Sequence, residues 1–497
     1  MTVTGAVTNV DVEVLKSNPT ANLSNALAGN VSGVLAMQTS GQPGVNTSEF
    51  WIRGISTFGA KSGALVLIDG VERNFDEILP QDIESFSVLK DASATAVYGV
   101  RGANGVIIIK TKPGKIGKPT ISADYYESFT RFTKMVDLTD GVSYMKAANE
   151  ALRNDGLATK FTDSQIQNTI LGKDQYLYPN VDWLNEIFND WGHNRRVNVN
   201  VRGGSEKVSY YASVSYFNET GMTVTDKSIN TFDSKMKYSR YNFTTNLSID
   251  VTPTTKVEIG AQGYLGEGNY PAISSKDLYN AAMSISPVEY PKMFFINGEA
   301  YIPGRSTNNN FNNPYSQATR RGYDNLTKNQ IYSNLRITQD LDMLTKGLKL
   351  TAMYAFDVYN EIHVHQDRAE STYYFLDTNV PYDLDGQPIL QRIYTGTNVL
   401  SYKQETSGNK KTYLEASLNY DRAFGDHRVS GLFLFNQQQK LLYPKGTLED
   451  AIPYRMMGIA GRATYSWKDR YFAEFNIGYN GAENFSPKNR YGTFPAY

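Results

Sequence analysis

The sequence predicts a small α/β domain at its N-terminal end followed by a long antiparallel β-sheet, and three observations carry that expectation. Tyrosine and glycine are abundant, at 35 and 40 of 497 residues, a profile of aromatic, turn-rich β structure. Apolar and polar residues alternate with a period of two from about residue 120 onward. Upstream of that point the pattern is mixed, with short apolar runs ended by Gly, Asp-Gly or Lys-Asp.

Within residues 1–113, Thr20 stands as N-cap ahead of Leu23, Ala26 and Leu27 at helical spacing. Phe50 to Arg53, Ala64 to Ile68 and Ile83 to Leu89 read as strands. Asp91 then caps a helical turn through Ala92, Ala94, Ala96 and Val97, which Gly99 stops before the apolar strand Val106 to Ile109. Gly99, Gly102 and Gly105 permit tight turns between that helix and that strand. A nucleotide-binding loop needs the reverse order, strand then glycines then helix. Pro113, Gly114, Gly117 and Pro119 mark residues 114–119 as a linker.

Beyond the linker the two faces of each strand differ. Val197, Val199 and Val201 oppose Asn198, Asn200 and Arg202, while Tyr210, Ala212, Val214 and Tyr216 oppose Ser209, Ser213 and Ser215. The same contrast recurs at Tyr241 to Val251, Leu414 to Tyr420 and Tyr471 to Tyr479. Alternation by itself fits a half-exposed sheet in a soluble sandwich as well as a membrane barrel. The connections tilt the balance, because short turns at 203–204, 252–255, 345–347, 425–426 and 468–469 alternate with long ones at about 133–194, 218–233, 268–327, 363–405 and 441–454. A barrel rim projects such loops into water, whereas a compact soluble domain seldom carries several of them. About 11 strands are expected between residues 120 and 482, and helical spacing around 138–152 and 166–171 makes the first long loop a folded excursion.

Composition excludes several classes. The 49 basic and 50 acidic residues leave a net charge of −1, so no broad field favours nucleic acid. With no cysteine there is no disulfide framework and no thiolate metal site. The apolar runs fall far short of the roughly 20 residues of a transmembrane helix, which says nothing against a barrel. Met1 is followed by no basic region and no apolar signal core, so the N-terminus is expected to be trimmed. There is no Gly-x-Ser-x-Gly elbow, no His-Glu-x-x-His and no cysteine nucleophile, so no enzyme is expected. His363 and His365 share one strand face, but no third ligand stands at a recognisable spacing, and they read as a rim pair and not as a metal site. Asp69-Gly70 after an apolar strand reads as a turn.

The run from Ile83 to Lys110, with Lys-Asp-Ala-Ser-Ala and Val-Tyr-Gly-Val-Arg-Gly-Ala-Asn-Gly at its centre, resembles the core of a TonB-dependent receptor plug. Ile52-Arg53-Gly54 and Val66 to Gly70 precede it at that family's spacing. The Lys-Asp-Ala-Ser-Ala form, Leu23 to Gly33, Tyr178 to Trp183, the Gly203-Gly204 turn with Tyr210-Tyr211, and Tyr479 to Phe485 are similar to the SusC/RagA branch. The resemblance implies an α+β plug domain over 1–113, a linker over 114–119, and over 120–497 the first half of an antiparallel transmembrane β-barrel, about 11 of an expected 22 strands.

Function and partners follow from the resemblance as further expectations. It implies TonB-dependent import of oligosaccharides or peptides across the outer membrane of a Gram-negative bacterium, among the Bacteroidota, without a cofactor. The expected partners are a SusD-like surface lipoprotein acting as lid, outer-membrane lipid, and TonB with ExbB and ExbD, which would act through an N-terminal segment ahead of the plug. The signal peptide, the TonB box and the small β-sandwich domain that usually precede the plug are not seen, and the chain stops at Tyr497 in what should be an external loop. A fragment that would not transport alone is therefore expected. Plug docking would use Arg53 and Arg101 against carboxylates on the barrel wall, although solvated or locally paired arginines fit equally. Phe58, Phe311, Tyr315 and Tyr323 would either meet substrate or anchor loops. A siderophore or metal-chelate receptor, and a surface sensor or adhesin without bulk transport, remain as alternatives.

Overall fold

The structure is a computed structural model and describes residues 7–17, 20–52, 54, 63–90, 102, 104–227, 230–307, 313–444, 446–448, 451–468 and 470–496. The strands of the N-terminal domain are β1 (Val7–Val10), β2 (Val34–Gln38), β3 (Ser48–Ile52), β4 (Leu65–Ile68), β5 (Val71–Glu72), β6 (Ile83–Leu89) and β7 (Val106–Thr111). β2 pairs with β3, and the rest form a mixed sheet in the order β1-β6-β7-β4-β5 with β4 and β7 parallel. Both faces of β4 are covered, which is why it is an unbroken apolar run. Ile68, Val88, Ile107 and Ile109 are fully buried and pack with Leu15, Leu23, Phe75 and Phe86 into one apolar core.

Local chemistry sets the details of this domain. Asp69 and Gly70 have φ of 52° and 92° and close β4 onto β5 through the pair Ile68 and Val71, the turn that Asp-Gly predicts. Gly105 has φ of 87°, and a Cβ there would fall 2.8 Å from Ile52 Cδ1, so the close approach ahead of β7 requires glycine. The first expected helix is a short 3-10 turn at Leu23–Ala26 with Asn22, not Thr20, at its N-cap. Thr20 is unavailable for capping because its hydroxyl donates to the Asn22 carbonyl at 2.9 Å. The helical turn expected from Asp91 to Val97, and Gly99 with it, lie outside the described residues.

The remaining strands are β8 (Gly117–Thr130), β9 (Gly192–Gly204), β10 (Val208–Thr220), β11 (Lys237–Thr252), β12 (Thr255–Pro271), β13 (Phe294–Ile296), β14 (Glu299–Pro303), β15 (Gly322–Asp340), β16 (Leu348–Asp367), β17 (Thr372–Phe375), β18 (Leu390–Tyr394), β19 (Lys403–Phe424), β20 (His427–Tyr443), β21 (Tyr454–Trp467), β22 (Tyr471–Ala482) and β23 (Tyr491–Ala496). Twelve of them form a wall in the order β23-β22-β21-β20-β19-β16-β15-β12-β11-β10-β9-β8, each antiparallel to its neighbours in the chain. The expected 11 strands are all present, and residues 491–496, expected to lie in an external loop, add the twelfth. β8 also begins inside the expected linker, at Gly117.

The wall is inside-out by the standard of a soluble protein. On β10, Ser213 and Ser215 are buried while Val214 between them is 66% exposed. On β11, Arg240, Asn242 and Thr244 are buried while Tyr241 and Phe243 are exposed. The exposed apolar face continues across neighbouring strands through Val199, Ile259, Leu335, Leu350, Leu414 and Phe433. Water would leave such a broad apolar face unstable, and hydrocarbon suits it. Near the short turn between β21 and β22, exposed Trp467 and Tyr471 stack at 5.5 Å, as aromatic residues do at a membrane interface.

The long connections fold together into a cap. Helices Gly141–Asn154 and Asp163–Ile170 occupy the first of them, started by Asp140, which accepts from the Val142 and Ser143 amides, and by a Thr162–Gln165 capping box. A second sheet ordered β13-β14-β17-β18 and the helices Trp183–Ile187, Ser275–Ser284 and Pro314–Thr319 share a core that includes Trp183, Leu278, Tyr290 and Met293. The outward face yields a direct test: Val214→Arg at mid-strand should destabilise the receptor in a bilayer by about 2–4 kcal/mol, measured by reversible unfolding from lipid vesicles. A neutral effect would mean that this face meets water.

Candidate functional site

The polar face of the wall closes around the N-terminal domain, and buried charges hold the two together. Arg73 follows the β4–β5 turn and donates from Nε and Nη2 to Asp357 Oδ2 and Oδ1 on β16, at 3.0 and 2.6 Å. Its side chain is 0% exposed and that of Asp357 5%. Arg73 also donates to the Ser333 carbonyl at 3.0 Å and lies over the Tyr332 ring at 4.9 Å. Tyr332 and Asp357 face each other across β15 and β16, so the strand register assembles this socket. A two-pronged guanidinium–carboxylate contact fixes direction as well as charge.

Two wall arginines reach the other way. Arg240 donates to the Ala21 carbonyl at 2.7 Å and to Asn22 Oδ1 at 3.2 Å, and Arg196 donates to the Thr20 carbonyl at 2.9 Å. The segment before the 3-10 turn thus offers its free carbonyls to cations on the wall. Further round, Tyr211 and Thr244 donate to the two oxygens of Asp82 at 2.7 and 2.8 Å, and Asn246 donates to Thr111 Oγ1 and the Lys112 carbonyl. Lys411 reaches the Glu72 carbonyl. Asp76, Glu77 and Asp82 are buried at this junction, and burial pushes each carboxyl above the usual carboxylate range.

The cap carries a polar cleft of about 450 Å³ lined by Tyr144, Glu289, Tyr290, Arg305 and Tyr394 among others. Arg305 lies over the Tyr374 ring at 4.3 Å and pairs with Glu289 at 3.6 Å. Aromatic faces beside a fixed pair of opposite charges suit a polar, extended ligand.

The residues singled out from sequence fare unevenly. Arg53, Arg101, Phe58 and Phe311 lie outside the described residues. Tyr315 is 5% exposed in the cap core, donates to Asp226 Oδ2 at 2.7 Å and carries Lys292 over its ring at 4.2 Å, so it anchors the cap. Tyr323 packs 5.6 Å from Phe232 and shares the strand parity of the exposed Ile331 and Leu335, away from the polar face. The docking contact expected of an arginine and a wall carboxylate exists, but Arg73 makes it. Its sequence signal was an arginine two residues past a strand turn in an otherwise apolar hairpin, which alternation does not separate from a solvated one.

Breaking the Arg73 contact on one side leaves a charge buried without its partner. Asp357→Ala should destabilise plug docking by about 3–5 kcal/mol, read by proteolysis of the N-terminal domain in detergent, whereas Arg73→Met with Asp357→Leu should recover most of that loss. Equal losses in both would mean that the contact is not a charge pair in energetic terms. The buried carboxyls predict a pH dependence of definite sign. A carboxyl held up in the folded state keeps its proton where the unfolded chain has lost it, so stability falls as pH rises from the unfolded value through the raised one. Unfolding midpoints should drop as pH climbs from about 4, and Asp82→Asn should make that slope shallower. An unchanged slope would remove Asp82 from its sources.

Residues 1–106 match the family described as TonB-dependent Receptor Plug Domain. TonB-dependent receptor P3 of Formosa agariphila is 25% identical over 99% of this chain and 46% of its own length. TonB-dependent receptor SusC of Bacteroides thetaiotaomicron is 26% identical over 99% of the chain and 49% of its own length. The chain therefore spans about half the length of these relatives. Among solved structures, that of the RagAB peptide transporter superposes with a TM-score of 0.75 at 22% identity, covering 99% of this chain and 56% of that one, which establishes a shared fold. An N-terminal domain gripped by the polar face of an inside-out wall, and kinship running through both parts, make this chain a SusC/RagA-like TonB-dependent receptor.

Proposed function

We propose that the chain supplies the plug and part of the barrel of an outer-membrane importer that takes up an oligomeric nutrient, an oligopeptide or an oligosaccharide. The plug spans residues 1–113, the linker 114–119 and the barrel portion 120–497. One observation carries the reading: the plug has an apolar core of its own, yet it meets the wall almost entirely through hydrogen bonds and ion pairs. Water can replace such contacts one by one, so the plug can shift or leave without exposing a core. TonB, with ExbB and ExbD, would supply the pull, and substrate would pass where the plug had been.

The polar cleft in the cap supports capture of an extended polar ligand, and a SusD-like surface lipoprotein would close over it. The organisms of the relatives support an outer membrane of the Bacteroidota. A wall with two open edges, β8 and β23, would be completed by further strands, because bare backbone groups in hydrocarbon cost several kcal/mol each.

The chain has no cysteine, which makes a tether clean. In the full receptor, Asp82→Cys with Thr244→Cys would join plug to wall where the two side chains meet at 2.8 Å. Uptake of labelled oligopeptides or oligosaccharides by complemented cells should be sensitive to a protonophore, blocked by the oxidised tether and restored by reduction. Uptake that persists with the plug tethered would refute gating by plug movement. Surface binding of either ligand class with no uptake at all would assign a sensor or adhesin instead.

A further inference from the structure

The register of β15 against β16 sets Asp324 opposite His365 and next to His363, three residues that no linear spacing connects. Asp324 Oδ1 lies 3.3 Å from His365 Nδ1 and 3.9 Å from His363 Nδ1. Donor atoms of the three residues all fall within 4.8 Å of one another. Nitrogen and oxygen ligands about 2.0–2.2 Å from one ion are separated by roughly 3.3–4 Å, so this set needs only a small turn of its half-exposed rings to close on a cation. Asp324 Oδ1 is shielded from solvent and accepts no hydrogen bond from any described group.

The far side of the rings strengthens the case. His363 Nε2 lies 2.7 Å from Glu361 Oε1, whose second oxygen takes the Tyr359 hydroxyl. His365 Nε2 lies 4.0 Å from Glu405 Oε2. A carboxylate behind a histidine holds the proton on the outer nitrogen and turns the lone pair of the inner one toward a metal, the usual support of a histidine ligand. The stacked rings, 5.7 Å apart and 14° from parallel, present their Nδ1 atoms to the same oxygen. All of these side chains share the strand parity of Asp357, so they line the bore, six residues or roughly 20 Å beyond the Arg73 socket toward the long loops.

We propose that Asp324, His363 and His365 bind a divalent transition-metal ion of the zinc class on the inner wall of the barrel, leaving at least one coordination position open to the bore. Two imidazoles and a carboxylate suit such an ion and not calcium or magnesium, which take oxygen ligands. Glu361 positions His363.

The test uses the full receptor in detergent, stripped with EDTA and titrated calorimetrically with zinc. One equivalent should bind to the wild type and be lost in H363Q/H365Q, while H193Q/H427Q, which removes the other two histidines, retains it. D324N, which keeps the side chain's shape, should lose the site as well, and E361Q should weaken it by roughly ten- to a hundredfold. Cobalt bound in place of zinc should give a visible spectrum that H363Q/H365Q lacks. Zinc binding equal in wild type and H363Q/H365Q, or unaffected by D324N, would overturn the assignment and leave these residues as ion pairs.

Discussion

Because a strand turns successive side chains to opposite faces, a single two-residue period decides both what meets hydrocarbon and what holds the plug. Val214 and Ser215 are chain neighbours, yet one faces outward and the other is buried against the plug side. A one-residue slip of any strand would send valines into the bore and arginines into lipid, so register is specified along the whole wall. The unbroken ladders from β9 through β22 are the result.

On that frame the chain joins two kinds of interior. The plug is organised as an ordinary small domain, with Phe75, Phe86 and the isoleucines of β7 at its centre. The plug–wall junction is organised as a polar interface, where Arg73, Arg196, Arg240 and Asp82 each find a fixed counterpart. The first resists separation because apolar area would be exposed. The second resists it only while its charges stay dry and paired. A domain that must stay folded while it changes position is served by this division.

Strands, turns and loop lengths were legible in the sequence because each depends on neighbours a few residues apart. The β9–β10 and β11–β12 hairpins and the Asp69-Gly70 turn follow from local pattern and backbone preference. The first long loop declared its helices through spacing and capping residues. Contacts made across the bore were not legible. Arg73 and Asp357 are separated by 284 residues, and nothing in either segment names the other. Asp324 becomes a neighbour of His363 and His365 only through pairing on an adjacent strand, which is why the histidines looked alone in the linear chain. Residues 491–496 pair with β22 although an external loop was expected there, because the available strand edge outweighs a weak local pattern.

The plain up-and-down order of the wall has a bearing on how the molecule comes together. Every strand pairs with those nearest it in the chain, so hairpins can add in succession at small entropic cost. The grip on the plug spans the longest separations and requires strands as far along as β16 and β19 to be in place. Assembly is therefore expected to run as growth of a curved sheet around a domain already formed, with the final grip arriving late. A chaperone that delays closure would act at that stage.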